Sequence, residues 1–314
     1  MRTLLALLLG LAVSVTALAA QPLLTPAELH GALANPKLRV IDIRDPKAYE
    51  ANHIPGALNA PYGSWRGPAN NPGELPPLPK LTALIQSLGL APDTHAVVVS
   101  TGNDASDFGG AARIYWSMKV LGLKELSILN GGMKSWAAAN LPQDKNPAKV
   151  AASTYTPEKL DAAWVVTKEE VLARVKSNQA ALIDARPAEF YKGDTRHPAA
   201  KTNGTLHGAV NLEHDKWFAP GNATFVSTDQ TKKIAADFKL DAARETVSFC
   251  NTGHWAATNW FAMSEVLRQK DVKLYPGSMV DWTNDSASLP MDNVPGRMKQ
   301  LVLDTQLWFQ RTFK

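Results

Sequence analysis

Residues 247–260 read Val-Ser-Phe-Cys-Asn-Thr-Gly-His-Trp-Ala-Ala-Thr-Asn-Trp and contain Cys250, the only cysteine in 314 residues. The β-prone run from Val247 to Phe249 predicts a short strand that delivers Cys250 to a tight turn around Gly253. The Ala-, Trp-, Phe- and Met-rich pattern that follows predicts a buried helix. A thiol between a strand end and a helix N-terminus lies in a positive local field, which favours the thiolate. The first hypothesis is therefore a nucleophilic cysteine, and the alternative is a small, inert, buried side chain.

The strand, turn and helix around Cys250 belong to the second of two sequence repeats. Three unrelated anchors recur at nearly constant offsets, namely Asp42 and Asp184 (142 residues), Gly56 and Gly208 (152 residues), and Trp136 and Trp282 (146 residues). Such regularity indicates a tandem duplication. Because strands alternate with helices in each half, the predicted fold class is α/β, with two domains that are each a mainly parallel sheet with helices on both faces.

Hydrophobic periodicity places regular elements in both halves. It predicts strands over 38–44, 95–100, 126–129, 181–186 and 246–249. It predicts helices over 24–33, 81–88, 109–121, 231–238 and 256–267. Thr25, Pro26 and Glu28 give the first of these helices a capping-box signature. The Pro- and Gly-rich segment 61–79 is predicted to be a long surface loop.

The composition limits the function classes. The apolar share of 45% and the charged share of 20% leave ample material for buried cores. The formal net charge of +4 comes from scattered Lys and Arg, without a basic stripe that alternates with aromatic residues. Nucleic acid is therefore not an expected partner.

Residues 1–19 have the pattern of a secretory signal peptide. A positively charged start precedes an apolar run over 4–15 and an Ala-Leu-Ala site at 17–19. The run is short for a membrane span. We therefore expect cleavage after Ala19, export to the periplasm of a Gram-negative source, and no stable membrane insertion of the mature chain. A single cysteine in that oxidising compartment cannot form an internal disulfide, so a free thiol there calls for a chemical reason.

The repeat divides the chain into five segments. They are a signal peptide at 1–19, a first domain at 22–141, a linker at 142–164, a second domain at 165–290 and a C-terminal tail at 291–314. The apolar residues of the tail are expected to pack back onto the body of the protein, with membrane or partner contact as the alternative. They are Leu301, Leu303, Leu307, Trp308 and Phe309.

Several motifs resemble those of the rhodanese family. Residues 40–57 and 182–186 resemble the opening of a rhodanese domain, and residues 130–136 and 275–282 resemble its closing motif. Cys250 to Trp255, called the active loop below, match the family pattern Cys-x-x-Gly-x-x. The chain resembles an exported bacterial member of the tandem-domain thiosulfate and 3-mercaptopyruvate sulfurtransferases, in which the first domain is catalytically silent.

The first half fits that division because its corresponding strand runs into Ser100-Thr101-Gly102-Asn103-Asp104, which has no thiol. A hydroxyl of ordinary acidity cannot hold sulfur as a persulfide. The first domain is therefore expected only to support the second domain and to form one side of the cleft.

The resemblance implies ping-pong sulfur transfer. The Cys250 thiolate would take the outer sulfur of a small anionic donor as a persulfide and pass it to cyanide or a thiol. Backbone N–H groups over 252–256 would hold the terminal charge. No metal or organic cofactor is required. The implied site residues are Cys250, then Asn251, Thr252, Gly253, His254, Trp255 and Ala256 in the binding loop, and the supporting ion pair of Asp184 and Arg186.

The active loop departs from the family pattern in its side chains. Loops that use thiosulfate carry basic residues next to the cysteine, whereas His254 would be positive only when protonated. Trp255 stands where a small hydroxyl residue is usual, which narrows the pocket and makes it more apolar.

The donor-binding region departs as well. Phe190 stands where the family has an Arg that holds the anionic donor, and Thr205 replaces the His of a Gly-His-Ile turn. Arg196 and Lys201, in the loop between them, are the candidates to replace the missing charge.

Two other functions are alternatives to sulfur transfer. Phosphatases of the same fold resemble a Cys followed by five residues and an Arg, but the sixth position after Cys250 is Ala256, which disfavours them. A non-catalytic periplasmic sulfur carrier or docking protein, loaded by a partner enzyme, remains the alternative to an enzyme.

Overall fold

The computed structural model describes residues 20–240 and 244–312. The predicted signal peptide lies outside these residues. Within them, no helix combines the length and the apolar character that crossing a membrane requires.

The regular elements alternate along the chain as the repeat predicts. The strands are β1 (Leu23–Leu24), β2 (Leu38–Asp42), β3 (Leu58–Asn59), β4 (His95–Val99), β5 (Leu126–Leu129), β6 (Ala180–Asp184), β7 (Thr205–Leu206), β8 (Val210–Asn211), β9 (Glu245–Phe249), β10 (Val272–Leu274) and β11 (Met291–Asp292). The α-helices are α1 (Pro26–Ala32), α2 (Pro46–Ala51), α3 (Leu78–Ser87), α4 (Ala105–Val120), α5 (Gly132–Ala138), α6 (Lys168–Ser177), α7 (Ala188–Tyr191), α8 (Thr228–Asp237), α9 (Trp255–Phe261), α10 (Ser278–Thr283) and α11 (Arg297–Thr312). Two 3₁₀ helices span Tyr62–Trp65 and His214–Trp217, and α9 continues into a π-helical turn at Ala262–Val266.

Each half builds its own parallel sheet. The first sheet has the strand order β1-β5-β4-β2-β3 and the second has the order β10-β9-β6-β8, with parallel pairing throughout. Strands β7 and β11 form a separate antiparallel pair. Asp42 lies opposite Val99 in the first sheet, and Asp184 lies opposite Phe249 at the same place in the second. The prediction of two α/β domains is confirmed.

The same local signals begin the equivalent helices of the two halves. Thr25 and Glu28 form a capping box at α1, and Thr167 and Glu170 form one at α6. In each box the Thr and Glu side chains accept hydrogen bonds from two backbone N–H groups at the start of the helix, which have no partner within the helix. The central strands β4 and β9 are buried on both faces, which explains their nearly continuous apolar sequences.

The two domains meet along α4 and α9. Helix α4 follows the first-domain loop at 100–104, and α9 follows the active loop. Aromatic rings join them, with centroids 5.6 Å apart for Phe108 and Phe261 and 5.2 Å apart for Tyr115 and Phe261. Because each helix begins at the carboxyl end of its sheet, this packing brings first-domain side chains against the active loop.

The segment 61–79 is not the exposed loop that its composition predicts. Trp65 is fully buried at the end of a 3₁₀ helix, and its Nε1–H donates to the carbonyl of Ala60 at 3.3 Å. Gly73 is so close to the second domain that an added Cβ would clash with the carbonyl oxygen of Pro276. The segment is irregular over 66–77, as a loop should be, but buried Trp65 and the close approach of Gly73 to Pro276 hold parts of it against the protein.

The C-terminal tail also differs from the prediction. It forms α11, in which Leu301, Trp308 and Phe309 of the predicted set are exposed, as are Met298 and Val302, whereas Leu303 is half-buried and the Leu307 side chain lies outside the described residues. Polar contacts hold the helix, including ion pairs of Asp304 with Arg196 and of Lys299 with Asp194.

Candidate active site

Cys250 follows the last residue of β9, and its side chain is only 1% exposed. The closing motif of the second domain holds the backbone around it. The N–H groups of Cys250 and Gly253 both donate to the Ser278 Oγ, at 3.0 and 3.1 Å. In the other direction, the Cys250 carbonyl accepts from the N–H of Met279 at 3.0 Å. The sulfur therefore lies in a loop whose shape is fixed on both sides.

Ser278 occupies a left-handed backbone conformation, with φ of 54°. Side chains other than glycine are uncommon there. The corresponding residue of the first domain is Gly132, with φ of 58°. The Ser278 hydroxyl also donates to the Tyr275 carbonyl at 2.8 Å, and a glycine at this position would lose these hydrogen bonds together with the strained Cβ. The difference between Gly132 and Ser278 is visible in the two closing motifs, although the sequence analysis did not single it out.

Gly253 is required by the turn, as predicted. Its φ is +66°, and an added Cβ would clash with Arg113 Nη1 and lie 2.6 Å from the carbonyl oxygen of Pro276. The loop therefore curls so closely against its neighbours that a side chain at this position has no space.

His254 is held as a neutral imidazole. Its Nε2–H donates to the carbonyl of Ser106 at 2.8 Å, so Nδ1 accepts from the Tyr62 hydroxyl at 2.6 Å. Burial, and then the charge of Arg66, lowers the pKa of His254 to about 3. Burial raises the pKa of Tyr62, which keeps the phenol able to donate. His254 does not supply a positive charge near neutral pH.

Trp255 forms an aromatic surface next to the cysteine. It stacks on His214, with ring centroids 4.9 Å apart and ring planes at 11°. It also makes an edge-to-face contact with Phe190, with ring centroids 5.9 Å apart. Its Nε1–H donates to Ser106 Oγ at 2.8 Å. Phe190 thus takes part in an apolar contact at the position where the resemblance leads one to expect a donor-binding arginine.

Asp184 and Arg186 form the ion pair that the sequence predicts. Arg186 Nη2 lies 2.6 Å from Asp184 Oδ2, and both side chains are buried. Thr205, which replaces the usual His, donates its hydroxyl to the same Asp184 oxygen at 2.7 Å. Arg186 Nη1 also donates to the side-chain oxygen of Asn251 at 3.4 Å. The pair therefore fixes the end of β6 and reaches the active loop at the residue after the cysteine.

Arg196 and Lys201 do not replace the missing donor-binding charge. Arg196 binds Asp304, Asn203 and the Ala200 carbonyl, and Lys201 Nζ donates to the Asn284 carbonyl at 3.4 Å. None of these contacts involves the active loop, so the structure gives this prediction no support.

Two arginines of the first domain reach the active loop instead. Arg66 Nη2 donates to the Thr252 carbonyl at 2.8 Å. Arg113 Nη1 donates to the Gly253 carbonyl at 3.2 Å, and its Nη2 donates to the Gly73 carbonyl at 2.7 Å. Neither residue was predicted. A signal was present for Arg113, because a charged residue inside the apolar helical pattern 109–121 needs a buried partner.

Comparison with known proteins agrees with this geometry. The rhodanese-like domain model matches residues 25–139 and 167–285. The thiosulfate sulfurtransferase of Azotobacter vinelandii is 30% identical over 260 residues, which covers 82% of this chain and 93% of that protein.

Solved structures show the same fold. SseA from Escherichia coli, a 3-mercaptopyruvate sulfotransferase, superposes with a TM-score of 0.70 at 22% identity and covers 82% of this chain and 99% of its own. The Tum1 protein from Saccharomyces cerevisiae gives a TM-score of 0.72 at 20% identity, with 88% and 99% of the two chains covered.

Proposed function

The chain belongs to the rhodanese family and is a rhodanese-type sulfurtransferase, and from that premise we propose that it transfers sulfane sulfur through a persulfide on Cys250. The donor class is thiosulfate or a mercaptopyruvate-like anion, and the acceptor is cyanide or a thiol. One observation carries the proposal: the only thiol of the chain lies at the carboxyl end of β9, inside a tightly fixed loop of the family pattern.

The transfer consists of two displacements at sulfur. With thiosulfate, the Cys250 thiolate attacks the outer sulfur, the bond between the two donor sulfurs breaks, and sulfite leaves with the bonding electron pair. The acceptor then attacks the terminal sulfur of the persulfide. The bond between the two persulfide sulfurs breaks, the acceptor leaves as thiocyanate or as a new persulfide, and the Cys250 thiolate is restored.

The loop backbone supports the charged persulfide. Ser278 already binds the N–H groups of Cys250 and Gly253. The proposed donors to the terminal sulfur are therefore the N–H groups of Thr252, His254, Trp255 and Ala256. Donors that are fixed before the reaction stabilise charge without reorganising. The nearly complete burial of the Cys250 side chain keeps water from the reactive sulfur.

The intact mass of the purified, reduced protein tests the proposal. We expect incubation with thiosulfate or 3-mercaptopyruvate to add the mass of one sulfur atom, and cyanide to remove it. A reduced protein that gains no sulfur from either donor would contradict the proposal. If a partner enzyme then loaded Cys250, the protein would be the sulfur carrier of the alternative hypothesis.

We also propose that the mature protein acts in the periplasm, on the support of the signal-peptide pattern at 1–19. Fractionation of cells that express the full chain tests this. Recovery of a shortened protein in the periplasmic fraction is expected, and full-length protein in the cytoplasm would contradict it.

A further inference from the structure

We infer that Arg66 and Arg113, both from the domain without a thiol, form a cationic subsite for the anionic sulfur group that reacts at Cys250. The inference rests on the proposed function, because it names the source of the charge that binds the donor and the persulfide. It also changes the role of the first domain, which would supply part of the reaction site in addition to supporting the second.

The two guanidinium groups meet at consecutive positions of the active loop. Arg66 binds the Thr252 carbonyl and Arg113 binds the Gly253 carbonyl. Arg66 comes from the segment after the first 3₁₀ helix, and Arg113 comes from the middle of α4. Two separate parts of the first domain therefore place positive charge on the same side of the cysteine loop.

Neither charge is neutralised by an acid. The ion pairs of the described residues include neither Arg66 nor Arg113, whereas the other two buried arginines, Arg44 and Arg186, each have a carboxylate partner. Carbonyl oxygens accept their hydrogen bonds but carry no net charge. Because a buried charge is normally paired, the fully buried Arg113, with the half-buried Arg66 beside it, indicates that an anion joins them.

Each guanidinium also keeps a donor atom without a partner. Arg66 Nη1 and Arg113 Nε are buried and make no hydrogen bond within the described part of the chain. The Arg113 side chain as a whole is fully buried. Unsatisfied buried donors are costly, so an anion bound between the two guanidiniums would give both of these donors an acceptor.

The electrostatic balance around Arg113 favours the binding of an anion. Burial, and then the charge of Arg66, lowers the pKa of Arg113 to about 9, and the negative charge of a Cys250 thiolate opposes this shift. Arg113 therefore remains protonated at neutral pH, and a second negative charge nearby relieves its repulsion with Arg66. His254, which is neutral, does not compete for that role.

A purely structural role for Arg66 is the competing explanation, since its bond to Thr252 could simply hold the loop. Two properties separate the explanations. A structural role depends on a hydrogen-bond donor, whereas an anion subsite depends on positive charge. Arg66→Gln keeps a donor without the charge, and Arg66→Lys keeps the charge.

The experiment compares alkylation of Cys250 by iodoacetate, an anion, and by iodoacetamide, its neutral analogue. Because Cys250 is the only cysteine, loss of free thiol in the whole protein reports on it alone. The ratio of the two rate constants cancels effects of loop mobility and thiol access, which act on both reagents. Arg39→Gln is the matched control, because Arg39 also donates to backbone carbonyls, those of Pro36 and Leu38. These lie at the amino end of β2, whereas the active loop lies at the carboxyl end of its sheet.

We expect the iodoacetate-to-iodoacetamide ratio to fall about fivefold or more in Arg66→Gln, the size expected for one nearby charge, and to stay within about twofold of wild type in Arg66→Lys and Arg39→Gln. High salt should lower the ratio in the wild type and change it less in Arg66→Gln. Equal changes with both reagents in Arg66→Gln would overturn the inference, and so would an equal loss in Arg66→Lys.

The outcome is independent of sulfur transfer. If the protein takes no sulfur from a donor but the alkylation ratio depends on the charge at residue 66, the proposed function fails and the cationic subsite stands. If sulfur loads normally but the ratio is insensitive to that charge, only the subsite fails.

Discussion

The active loop and the first-domain loop, residues 100–104, share one backbone frame but carry opposite electrostatics. Ser100 stands at the position of Cys250. Its carbonyl accepts from the N–H of Met133 at 2.9 Å, as the Cys250 carbonyl accepts from Met279 at 3.0 Å. The helices that follow begin at equivalent residues, Ala105 and Trp255. The duplication has therefore preserved the geometry of the loop in the half that lacks the thiol.

The surroundings of the two loops differ in charge. In the first domain, Asp107 Oδ2 accepts from the N–H groups of Gly102 and Asn103 at 2.6 and 3.3 Å, and Asp104 caps the next helix. Carboxylates thus occupy the donors that an anion would need. The active loop has no acid, and arginines from the other domain lie against it. The fold supplies the loop in both domains. The charged side chains around each loop decide whether it can hold anionic sulfur.

The largest expected effect is that of Cys250→Ser. It should reduce sulfur transfer at least ~10³-fold because a hydroxyl cannot form a persulfide, while the melting temperature remains close to wild type. Thiocyanate formation from thiosulfate and cyanide measures the activity, and circular dichroism measures the fold. Transfer at more than a small fraction of the wild-type rate by a folded Cys250→Ser protein would exclude the mechanism.

The second prediction moves the thiol into the first domain. The double variant Ser100→Cys, Cys250→Ser should stay at least ~10²-fold below wild type, because Asp104 and Asp107 repel an anionic donor and Asp107 occupies two loop donors. The same thiocyanate assay measures it, with Cys250→Ser as the control. Recovery of activity would show that the shared backbone frame is sufficient and that the electrostatic difference is unimportant.

The third prediction concerns Ser278, which stands where the closing motif of the first domain has Gly132. Ser278→Ala leaves the N–H groups of Cys250 and Gly253 without an acceptor and keeps a side chain at positive φ, so it should lose about 1–3 kcal/mol of unfolding free energy. Ser278→Gly loses the same hydroxyl but relieves the backbone strain, so its loss should be smaller by about 1 kcal/mol.

Urea denaturation of the two variants measures this difference. Transfer activity should fall about tenfold in both, since loosening the loop weakens its preorganised donors. An alanine variant that is as stable as the glycine variant would contradict the strain at Ser278. Wild-type activity in either variant would show that the hydroxyl does not position the loop.

The smallest effect concerns His254, which stands where the first-domain loop has Asp104. The pKa of His254 is lowered to about 3, so the unfolded chain binds a proton near pH 6.5 that the native protein does not bind. The stability that neutral His254 contributes is therefore present above pH 6.5 and is lost as the pH falls from 6.5 toward 3.

Denaturation of wild type and His254→Gln at pH 7 and pH 4.5 measures this contribution. Wild type should lose about 1–2 kcal/mol more than His254→Gln between those values. All other ionisable groups are the same in both proteins, so the difference isolates His254. Parallel pH profiles would mean that His254 takes up a proton in the native protein over the same pH range as in the unfolded chain.

The sequence was sufficient to predict the repeat, both parallel sheets and the loop that carries Cys250, because these depend on local periodicity and short motifs. The contacts of Tyr62, Arg66 and Arg113 with the loop join residues 140 to 192 positions apart. They arise from the packing of α4 and the first 3₁₀ helix of the first domain against the active loop, which no local pattern encodes. The start of α4 was also missed by four residues, since Ala105 to Phe108 follow the Asp104 cap without a clear apolar period.

The most direct test of the account follows a single sulfur atom. Reduced protein is mixed with thiosulfate labelled in its outer sulfur, separated from free donor, and digested for peptide mapping. We expect one labelled sulfur per chain on the peptide that contains Cys250, complete release by cyanide as labelled thiocyanate, and no label in Cys250→Ser. Label that stays in Cys250→Ser, or that cyanide cannot remove from the wild type, would contradict a persulfide on Cys250 as the carrier of the transferred sulfur.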